Sequence, residues 1–148
     1  MKIEIERARA FDAPSIATIL SDWIDATPWM RKIHTAQDHQ NFGIWLIKAT
    51  DVTVARIQGD VAGFIARREY EVHSLYVAGG QRNQDIGARL LEHAKSAQDH
   101  LELWTFQAND GARRFYARHG FVQAKQTDGQ GNDEKLPDVH LIWQGANV

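Results

Sequence analysis

The sequence predicts an α/β fold in which one mixed, mostly antiparallel sheet carries helices on both faces. Residues 71–106 follow a strand, helix, strand order, which favours local parallel pairing through a right-handed crossover. Residues 52–57 and 61–66 are short β-like runs around a glycine-containing turn, which predicts an antiparallel hairpin. Because 148 residues suffice for one core and no linker or repeat is visible, residues 1–148 are expected to form one domain.

The first half of the chain carries one strand and two helices ahead of the hairpin. Ile3 and Ile5 alternate with charged residues, so residues 1–7 are predicted to form a half-buried strand. Asp12 is placed to cap the first helix, and Thr35 opens the second with an acidic residue three positions on. The helical stripes expected to face the core are Ile16, Ile19, Leu20 and Trp23, then Phe42, Trp45, Leu46 and Ala49.

The second half adds two helices and four strands. Asn109 is a suitable N-cap for the last helix, and Gly120 lies where helices often end in the left-handed conformation. The strands are predicted at 71–77, 101–106, 121–124 and 139–143, and the first of the helices at 84–98. The residues expected to be buried are Ile86, Leu90, Leu91, Ala94 and Ala97 in that helix, and Ala112, Phe115, Tyr116 and His119 form the stripe of the last one.

Composition restricts the class of partner. The formal charge of −2 and the pI near 6.4 provide no field that gathers nucleic acid or an anionic membrane, so neither partner is expected. The first residues lack the apolar run of a signal peptide, and no stretch reaches the roughly 20 apolar residues of a membrane span, so a cytoplasmic location is expected. Cysteine is absent and the seven histidines form no HExxH pattern, so no metal site is predicted.

The strand-to-helix join at residues 77–87 predicts an anion site. Free backbone N–H groups and the positive end of the helix dipole lie at such a join, and Arg82 adds a planar donor suited to phosphate. A pyrophosphate is the natural ligand. On this segment alone, an ordinary turn at Gly79 and Gly80 with a solvated Arg82 explains the pattern equally well. Neither a Walker loop nor a GxGxxG fingerprint is present.

Two motifs favour the anion site. "LYVAGGQRNQDIGARLL", which begins at Leu75, resembles the acyl-CoA-binding motif of the GNAT family of N-acetyltransferases, roughly [QR]xxGx[GA] after a strand, with Arg82 first and Gly87 last. "NDGARRFYARHGF", which begins at Asn109, resembles the second motif of that family, NxxAxxFYxxxGF. The order of elements is similar to that of the family over almost the full chain. Asp85 departs from the first motif, where the family has glycine.

The resemblance implies an acetyl-CoA-dependent N-acetyltransferase with a GNAT-like fold. Acetyl-CoA would lie where the strand ending at Val77 separates from the strand near Leu101, held mainly by main-chain amides. Asp85 is expected to point outward and satisfy the helix, and Asn109 could bind the pantetheine arm or serve only as an N-cap. The residues implied to bind the cosubstrate are Leu75, Tyr76, Val77, Arg82, Asn83, Gln84, Asp85, Ile86, Gly87, Ala88, Asn109 and Phe115.

The resemblance also implies the residues that move protons. Tyr116 corresponds to the usual general acid of the family, so it is expected to face the cleft while Phe115 faces the core. Glu71 and His73 alternate on one face of the strand that enters the first motif, and both resemble positions where family members place a base. Each could instead be an edge residue with a salt-bridge or solvent partner, and either could act through a water.

The acceptor is predicted only as a primary amine of a small molecule, an amino acid or a peptide. Between the first two helices, in the region that varies most in the family, Trp29 and Met30 could wall an apolar pocket. Asp22 or Asp25 could attract the amine. The loop that begins at residue 127 could close the other side of the pocket or meet a second subunit in a homodimer.

Two alternatives belong to other classes of function. The chain could bind acyl-CoA as a sensor without turning it over, which Asp85 in the first motif would favour. It could also be an interaction domain that keeps only the fold. Thiol release with an amine panel separates the enzyme from the sensor, and thermal stabilisation by acetyl-CoA separates both from the interaction domain.

Overall fold

The computed structural model describes residues 2–81 and 85–145, and residues 1, 82–84 and 146–148 lie outside that description. The described strands are β1 (Ile3–Arg7), β2 (Asp51–Ile57), β3 (Asp60–Arg68), β4 (Glu71–Val77), β5 (His100–Phe106), β6 (Val122–Thr127) and β7 (Asp138–Gln144). The described α-helices are α1 (Ala13–Asp25), α2 (Ala36–Ala49), α3 (Ile86–Ala97) and α4 (Asp110–Arg118). Short 3-10 turns precede α1 and follow β4.

The strands form one mixed sheet in the order β1-β2-β3-β4-β5-β7-β6. Every neighbouring pair is antiparallel except β4 and β5, which are parallel. The crossover that this parallel pair requires is supplied by α3. The predicted fold class is therefore confirmed, including the parallel unit in the second half.

The β2–β3 hairpin forms where the sequence predicts it. Gln58 and Gly59 connect the two strands, and both lie in the left-handed region, with φ of 55° and 86°. Two successive residues in this region match the right-handed twist of the flanking strands, and glycine adopts it without steric cost.

The core has one layer on each face of the sheet. The layer under α1 and α2 contains Ile16, Ile19, Leu46, Val52, Val54, Phe64 and Ala66. The layer under α3 and α4 includes Ile57, Ile65, Ile86, Leu90, Leu91, Leu101, Tyr116 and Phe121. Neighbouring residues of β2 such as Val54 and Ala55 therefore face opposite layers, as expected for a strand buried on both sides.

The predicted capping role of Asp12 is wrong. Asp12 makes no side-chain hydrogen bond to the first turn of α1. It is buried and accepts hydrogen bonds from the Arg56 guanidinium at 2.9 and 2.7 Å and from the Arg9 amide at 2.8 Å. Burial acts to raise the pKa of the Asp12 carboxyl, but the bonds from Arg56 and Arg9 outweigh it and the pKa lies below its ordinary value. The pair thus ties the start of α1 to β2.

Other local predictions divide between confirmed and wrong. The cap of α2 forms as expected, since Asp38 accepts from the Thr35 amide at 2.8 Å and the Thr35 hydroxyl accepts from the Asp38 amide at 3.1 Å. Ala97 is exposed rather than buried. Trp45 is 41% exposed, so only part of its predicted core role is realised. No helix in the described ranges combines the length and apolar content needed to cross a membrane.

Candidate active site

The parallel strands β4 and β5 pair only near their amino ends. Their register joins Glu71 to Glu102, and the Glu102 amide donates to the Tyr70 carbonyl at 2.9 Å. No further pairing between them is found in the described part of the chain, so the strands separate toward their carboxyl ends. A cavity of about 90 Å³, here called the gap cavity, lies between them. The sheet is therefore open at this point.

The free edge of β4 directs the main chain of Leu75 and Val77 away from β3, where Leu75 lines both the gap cavity and a larger neighbouring cavity and Val77 lines only the larger one. Alternate residues of an antiparallel pair direct both main-chain groups toward the partner strand. The Ala78 amide donates to the Ala62 carbonyl on the β3 side at 2.8 Å, and the Tyr76 carbonyl also faces β3. Leu75 and Val77 consequently face away from β3. The Tyr76 main chain, which was predicted to hold the cosubstrate together with its neighbours, belongs to the sheet instead.

A larger cavity of about 500 Å³, the α4-side cavity, adjoins the gap. Its walls come from β4, the first turn of α3, one face of α4 and Trp23 of α1. An added Cβ on Gly87 would lie 3.4 Å from the Phe115 ring, which is ordinary van der Waals contact, so α3 and α4 pack against each other here without strictly requiring glycine. Eight of the predicted cosubstrate residues line this cavity: Leu75, Tyr76, Val77, Asp85, Gly87, Ala88, Asn109 and Phe115.

The predicted cosubstrate residues at and just before the start of α3 do not all lie in the cavity wall. Asp85 lines the α4-side cavity, precedes α3 with a left-handed φ of 58°, and makes no side-chain capping bond. The residue is exposed, which agrees with the expected outward orientation, but its side chain does not cap the helix. Ile86 is fully buried in the core, so its side chain does not reach the cavity. Arg82, Asn83 and Gln84 lie outside the described residues.

Tyr116 lies where the α4-side cavity meets the gap cavity and lines both. Its side chain is 7% exposed, and the rings of Phe115 and Phe121 pack edge-on against it with centroids 5.2 Å away. Burial raises the pKa of the Tyr116 phenol, so the hydroxyl stays protonated at neutral pH. Phe115 is only partly buried, so the expected division, with Phe115 in the core and Tyr116 in the cleft, is not observed.

Asn109 combines the two roles that the sequence left open. Its side-chain oxygen accepts from the Ala112 amide at 3.0 Å, which caps α4. The residue also lines both the α4-side cavity and the gap cavity. The cap thus fixes Asn109 at the mouth of the gap.

His73 lies at the opposite side of the gap from α4. It lines the gap cavity and a third cavity, and its ring contacts Phe42 and Trp45 with centroids 5.8 and 5.3 Å away. His73 is exposed, but partial desolvation of its ring lowers the pKa of the imidazole; the charge of Glu71 acts in the opposite direction, and that of Arg68 adds to the lowering. The ring is therefore neutral at pH 7 and available to accept a proton.

Glu71 occupies a different site although it shares a face of β4 with His73. It lines a separate, open cavity beside Arg67 and Arg68, and it does not line the gap cavity. The structure therefore separates the two residues that the sequence grouped as base candidates.

The third cavity, called the α2-side cavity, has a volume of about 600 Å³ and lies across the gap from the α4-side cavity. Trp23 and Tyr76 line all three cavities, so the three adjoin one another. Met30 is one of its lining residues. Trp29, which was predicted to wall the pocket, does not line this cavity. Its ring packs against Trp23 and Phe106, which do line it, with ring centroids 5.8 Å away in both cases.

The acidic residues of the α2-side cavity differ from those predicted. Asp22 and Asp25 do not line it, and Asp25 instead pairs with Lys32 at 3.5 Å. Asp133 and Glu134, from the loop between β6 and β7, line the cavity. That loop therefore closes one side of the cavity, which is one of the two roles that the sequence left open for it.

The comparison with protein families identifies the chain. Residues 48–123, which run from the end of α2 into β6 and include the gap and α4, match the family model for an acetyltransferase (GNAT) domain. The chain belongs to the GNAT family of acetyltransferases. An uncharacterized N-acetyltransferase of Archaeoglobus fulgidus is 30% identical over 115 residues, which cover 66% of this chain and 78% of the relative.

Three further proteins are similar over nearly the whole chain. YjaB of Salmonella typhimurium, a peptidyl-lysine N-acetyltransferase, is 24% identical over 144 residues, 97% of this chain and 99% of YjaB. The solution structure of apo YjaB from Escherichia coli has a TM-score of 0.83 at 22% identity and covers 99% of this chain and 100% of its own. Salmonella typhimurium yncA, determined with acetyl-CoA, has a TM-score of 0.73 at 18% identity and covers 97% and 94%. These likenesses show the GNAT fold.

Sequence reasoning missed the side chain of Tyr76 in this GNAT acetyltransferase. The phenol packs against Trp23 and Phe64, with ring centroids 5.3 and 5.8 Å away, and lines all three cavities. Burial, with a smaller contribution from the charge of Glu134, raises the pKa of Tyr76 to about 12. The resemblance to the family motif predicted a role for the main chain of this strand only. The residues near Tyr76 in the sequence do not indicate which way its ring points.

Arg118 and His119 were also missed as residues of the α4-side cavity. The helical spacing of Gly111, Phe115 and Arg118 places them on one face of α4, and all three line the cavity. That periodicity could have identified Arg118 from the sequence. Among the described residues no group of three or more His, Asp or Glu is arranged to hold a metal ion.

Proposed function

We propose that the chain transfers the acetyl group of acetyl-CoA to a primary amine by direct attack in the gap between β4 and β5. The single observation that carries the proposal is the open edge of β4, where the main chain of Leu75 and Val77 faces a passage between two cavities. The amine nitrogen forms a bond to the thioester carbonyl carbon, the carbon–sulfur bond breaks, and CoA leaves as the thiolate.

The α4-side cavity fits the cosubstrate. Main-chain donors at Leu75 and Val77 suit the amide-rich pantetheine arm and the thioester carbonyl, which needs a donor as negative charge develops on its oxygen. The first-turn amides of α3 have no partner within the helix and suit a pyrophosphate. Arg118, at the rim of the same cavity, offers a guanidinium for phosphate oxygens. A GNAT relative, yncA, has been determined with acetyl-CoA.

His73 is proposed as the base that takes the proton of the attacking amine. An amine with a pKa of about 10.4 is neutral only about once in 2,500 molecules at pH 7, which costs roughly 4.6 kcal/mol. The lowered pKa of His73 keeps its imidazole unprotonated at that pH. Glu71 does not reach the gap, and its charge acts on His73 by favouring the protonated imidazolium that forms.

Tyr116 is proposed as the acid that protonates the CoA thiolate. Its hydroxyl stays protonated because burial raises its pKa. The residue lies at the junction of the gap cavity and the α4-side cavity, where the thiolate would leave. No hydrogen bond from its hydroxyl to another described residue competes with this role.

The acceptor is proposed to enter from the α2-side cavity as an amine of a small molecule, an amino acid or a peptide. The relative YjaB is named for action on lysine in peptides, which supports inclusion of lysine side chains. A non-catalytic acyl-CoA sensor is the second candidate, and the Asp85 carboxylate in the α4-side cavity favours it.

Thiol release measured with acetyl-CoA and an amine panel tests the proposal. The expected result is amine-dependent release together with an increase in the melting temperature on addition of acetyl-CoA. An increase in the melting temperature without thiol release in the presence of any amine would favour the acyl-CoA sensor over the enzyme. Absence of both effects would contradict cosubstrate binding.

A further inference from the structure

We propose that the α2-side cavity selects an ammonium group carried on an apolar or aromatic stem and rejects amines with a carboxylate beside the nitrogen. This inference rests on the proposed function, because it assigns the α2-side cavity to the acceptor. Lysine side chains in peptides and simple arylalkylamines both have this chemistry. The α-amine of a free amino acid lacks it, since the carboxylate is attached to the carbon that carries this amine.

The walls of the α2-side cavity are apolar and largely aromatic. They include Trp23, Met30, Phe42, Trp45, Trp104 and Phe106. Such walls bury an apolar stem, and the faces of tryptophan rings attract cations within about 6 Å. The stem therefore gains contact along its length, and the ammonium head gains electrostatic attraction.

The permanently ionised side chains that line the α2-side cavity are all acidic. Asp38, Asp133 and Glu134 line it, and no lysine or arginine does so among the described residues. Arg68 and Lys125 lie over the rings of Trp45 and Trp104 at 5.6 and 5.3 Å from the centroids, but neither lines the cavity. Apart from the histidines His34, His39 and His73, the described lining thus offers no basic group to pair with a substrate carboxylate.

Glu134 is the acidic residue best placed to bind the ammonium. Asp38 is already engaged in the cap of α2, whereas no ion pair or hydrogen bond of the Glu134 carboxylate is found within residues 2–81 and 85–145. Glu134 is half-buried. Its charge contributes to the raised pKa of Tyr76, so the carboxylate acts on the side of the cavity next to the gap. A half-buried carboxylate without a cationic partner is stabilised when a cationic ligand binds.

His39 is a further polar residue of the same cavity. It lines the α2-side cavity and is 9% exposed, and its Nδ1 lies 2.5 Å from the Ser21 hydroxyl. Its Nε2 is buried with no hydrogen-bond partner in the described structure. An atom buried to this extent does not face the open part of the cavity, so the ammonium is assigned to Glu134 and not to His39.

Ligand binding, measured by isothermal titration calorimetry on the full chain, tests the selection without requiring turnover. The probes are 2-phenylethylamine, phenylalanine and phenylalanine amide, which share the ring and the ammonium and differ at the carboxylate. We expect phenylalanine to bind at least tenfold more weakly than 2-phenylethylamine, and the amide to bind within threefold of 2-phenylethylamine. Equal or tighter binding of phenylalanine would overturn the proposal.

A lysine probe distinguishes the two sources of the amine. Nα-acetyl-lysine methylamide represents a lysine side chain in a peptide. Tighter binding of this probe than of 2-phenylethylamine assigns the cavity to peptides, and the reverse assigns it to small arylalkylamines. Both results support the ammonium-on-a-stem chemistry, whereas failure of both probes to bind would contradict it.

The variant Glu134→Gln tests the residue that carries the selection. It is expected to weaken the binding of 2-phenylethylamine at least fivefold and to reduce the difference in affinity between 2-phenylethylamine and phenylalanine. Glu4→Gln, at an exposed position on β1, makes the same change in net charge away from the cavity and should alter binding less than twofold. Unchanged binding by Glu134→Gln with an unchanged melting temperature would refute the role of Glu134.

Failure of this inference can be told apart from failure of the proposed function. Selective amine binding without thiol release would contradict the proposed acetyl transfer and support the proposed selectivity of the α2-side cavity. Thiol release that is faster with phenylalanine than with 2-phenylethylamine would keep the transfer and remove the cavity assignment.

Discussion

Tyr116 is as buried as a core residue, yet it borders the space where the chemistry is proposed to occur. Tyr116→Phe removes only the hydroxyl and keeps the ring contacts, so it separates packing from proton transfer. We expect the variant to lower turnover at least tenfold, because the leaving thiolate loses its proton donor, while the Kd for acetyl-CoA changes less than twofold. Thiol release and calorimetry measure the two effects.

The matched control for this change is Tyr70→Phe. Tyr70 is an exposed tyrosine that stacks on His100 and lines neither the gap cavity nor the α4-side cavity. Its variant should turn over at the wild-type rate. Full activity in Tyr116→Phe would remove that residue from the mechanism.

His73 makes a prediction about pH. Its pKa lies below the ordinary histidine value, so the base is neutral at pH 7 and becomes protonated as the pH falls below about 6.5. We therefore expect kcat/KM to be maintained down to that range and then to decline. His73→Gln should lose at least tenfold in kcat/KM at pH 7 and lose this acid limb, as measured in pH profiles at saturating acetyl-CoA.

The control for the histidine experiment is His93→Gln, an exposed position on α3 that should leave the profile unchanged. An identical acid limb in His73→Gln and the wild type would assign the limb to another group. In that case His73 would not be the base.

Asp85 combines an unfavourable charge and an unfavourable backbone conformation. A carboxylate about 6 Å from a phosphate charge costs roughly 0.7 kcal/mol in water and about 3 kcal/mol at an effective dielectric near 20. The exposed position of Asp85 brings the cost toward the lower value, and glycine tolerates the left-handed φ better. We expect Asp85→Gly to leave the Kd for acetyl-CoA unchanged or to lower it up to about tenfold. Asp85→Asn keeps the side chain and removes the charge, so it separates the two causes. Tenfold weaker binding in Asp85→Gly would show that the carboxylate helps.

At the scale of elements, the free edge of β4 is the part of the sheet on which the proposed function depends. The Val77 amide faces away from β3, on a residue that lines the α4-side cavity, and is not used by the β3–β4 ladder, so Val77→Pro removes a donor at that cavity without removing a sheet hydrogen bond. Val77→Ala keeps the amide and loses only side-chain packing. We expect Val77→Pro to weaken acetyl-CoA binding at least fivefold more than Val77→Ala does, because proline removes a hydrogen bond worth about 1 kcal/mol or more.

Calorimetric Kd values for the two Val77 variants provide the measurement. Melting temperatures that agree between the variants would show that the sheet is intact in both. Equal Kd values for proline and alanine at this position would mean that the amide is not a cosubstrate donor.

Elements whose signals are local were predicted well from the sequence. The Gln58–Gly59 turn, the Thr35 cap of α2 and the Asn109 cap of α4 depend on residues within a few positions of each other. Asp12 shows the limit of such reasoning. Its residue type suits a cap, but the partner that it takes, Arg56, is 44 positions away in the sequence and is brought close only by the fold.

At the scale of the whole molecule, the sheet places the site between two helical layers. The layer of α1 and α2 borders the α2-side cavity, and the layer of α3 and α4 borders the α4-side cavity. The separation of β4 from β5 connects the two sides. Under the proposed function, this one opening in the sheet brings the two substrates together from opposite directions.

Only part of this site could be predicted from the sequence. The motifs located Leu75, Val77, Gly87 and Tyr116, because each motif is a short segment of fixed spacing. The acceptor residues could not be found in the same way. Glu134 and Trp104 come from separate loops and strands, and only the folded chain shows that they line the same cavity as His73.

A crystal structure of the chain with CoA bound would show directly whether the opening between β4 and β5 is the site of acetyl transfer. We expect the pantetheine arm to run along Leu75 and Val77, the diphosphate to lie at the first turn of α3, and the sulfur to lie beside Tyr116. A sulfur atom outside the gap, or main-chain groups of Leu75 and Val77 bonded to other parts of the protein, would contradict it.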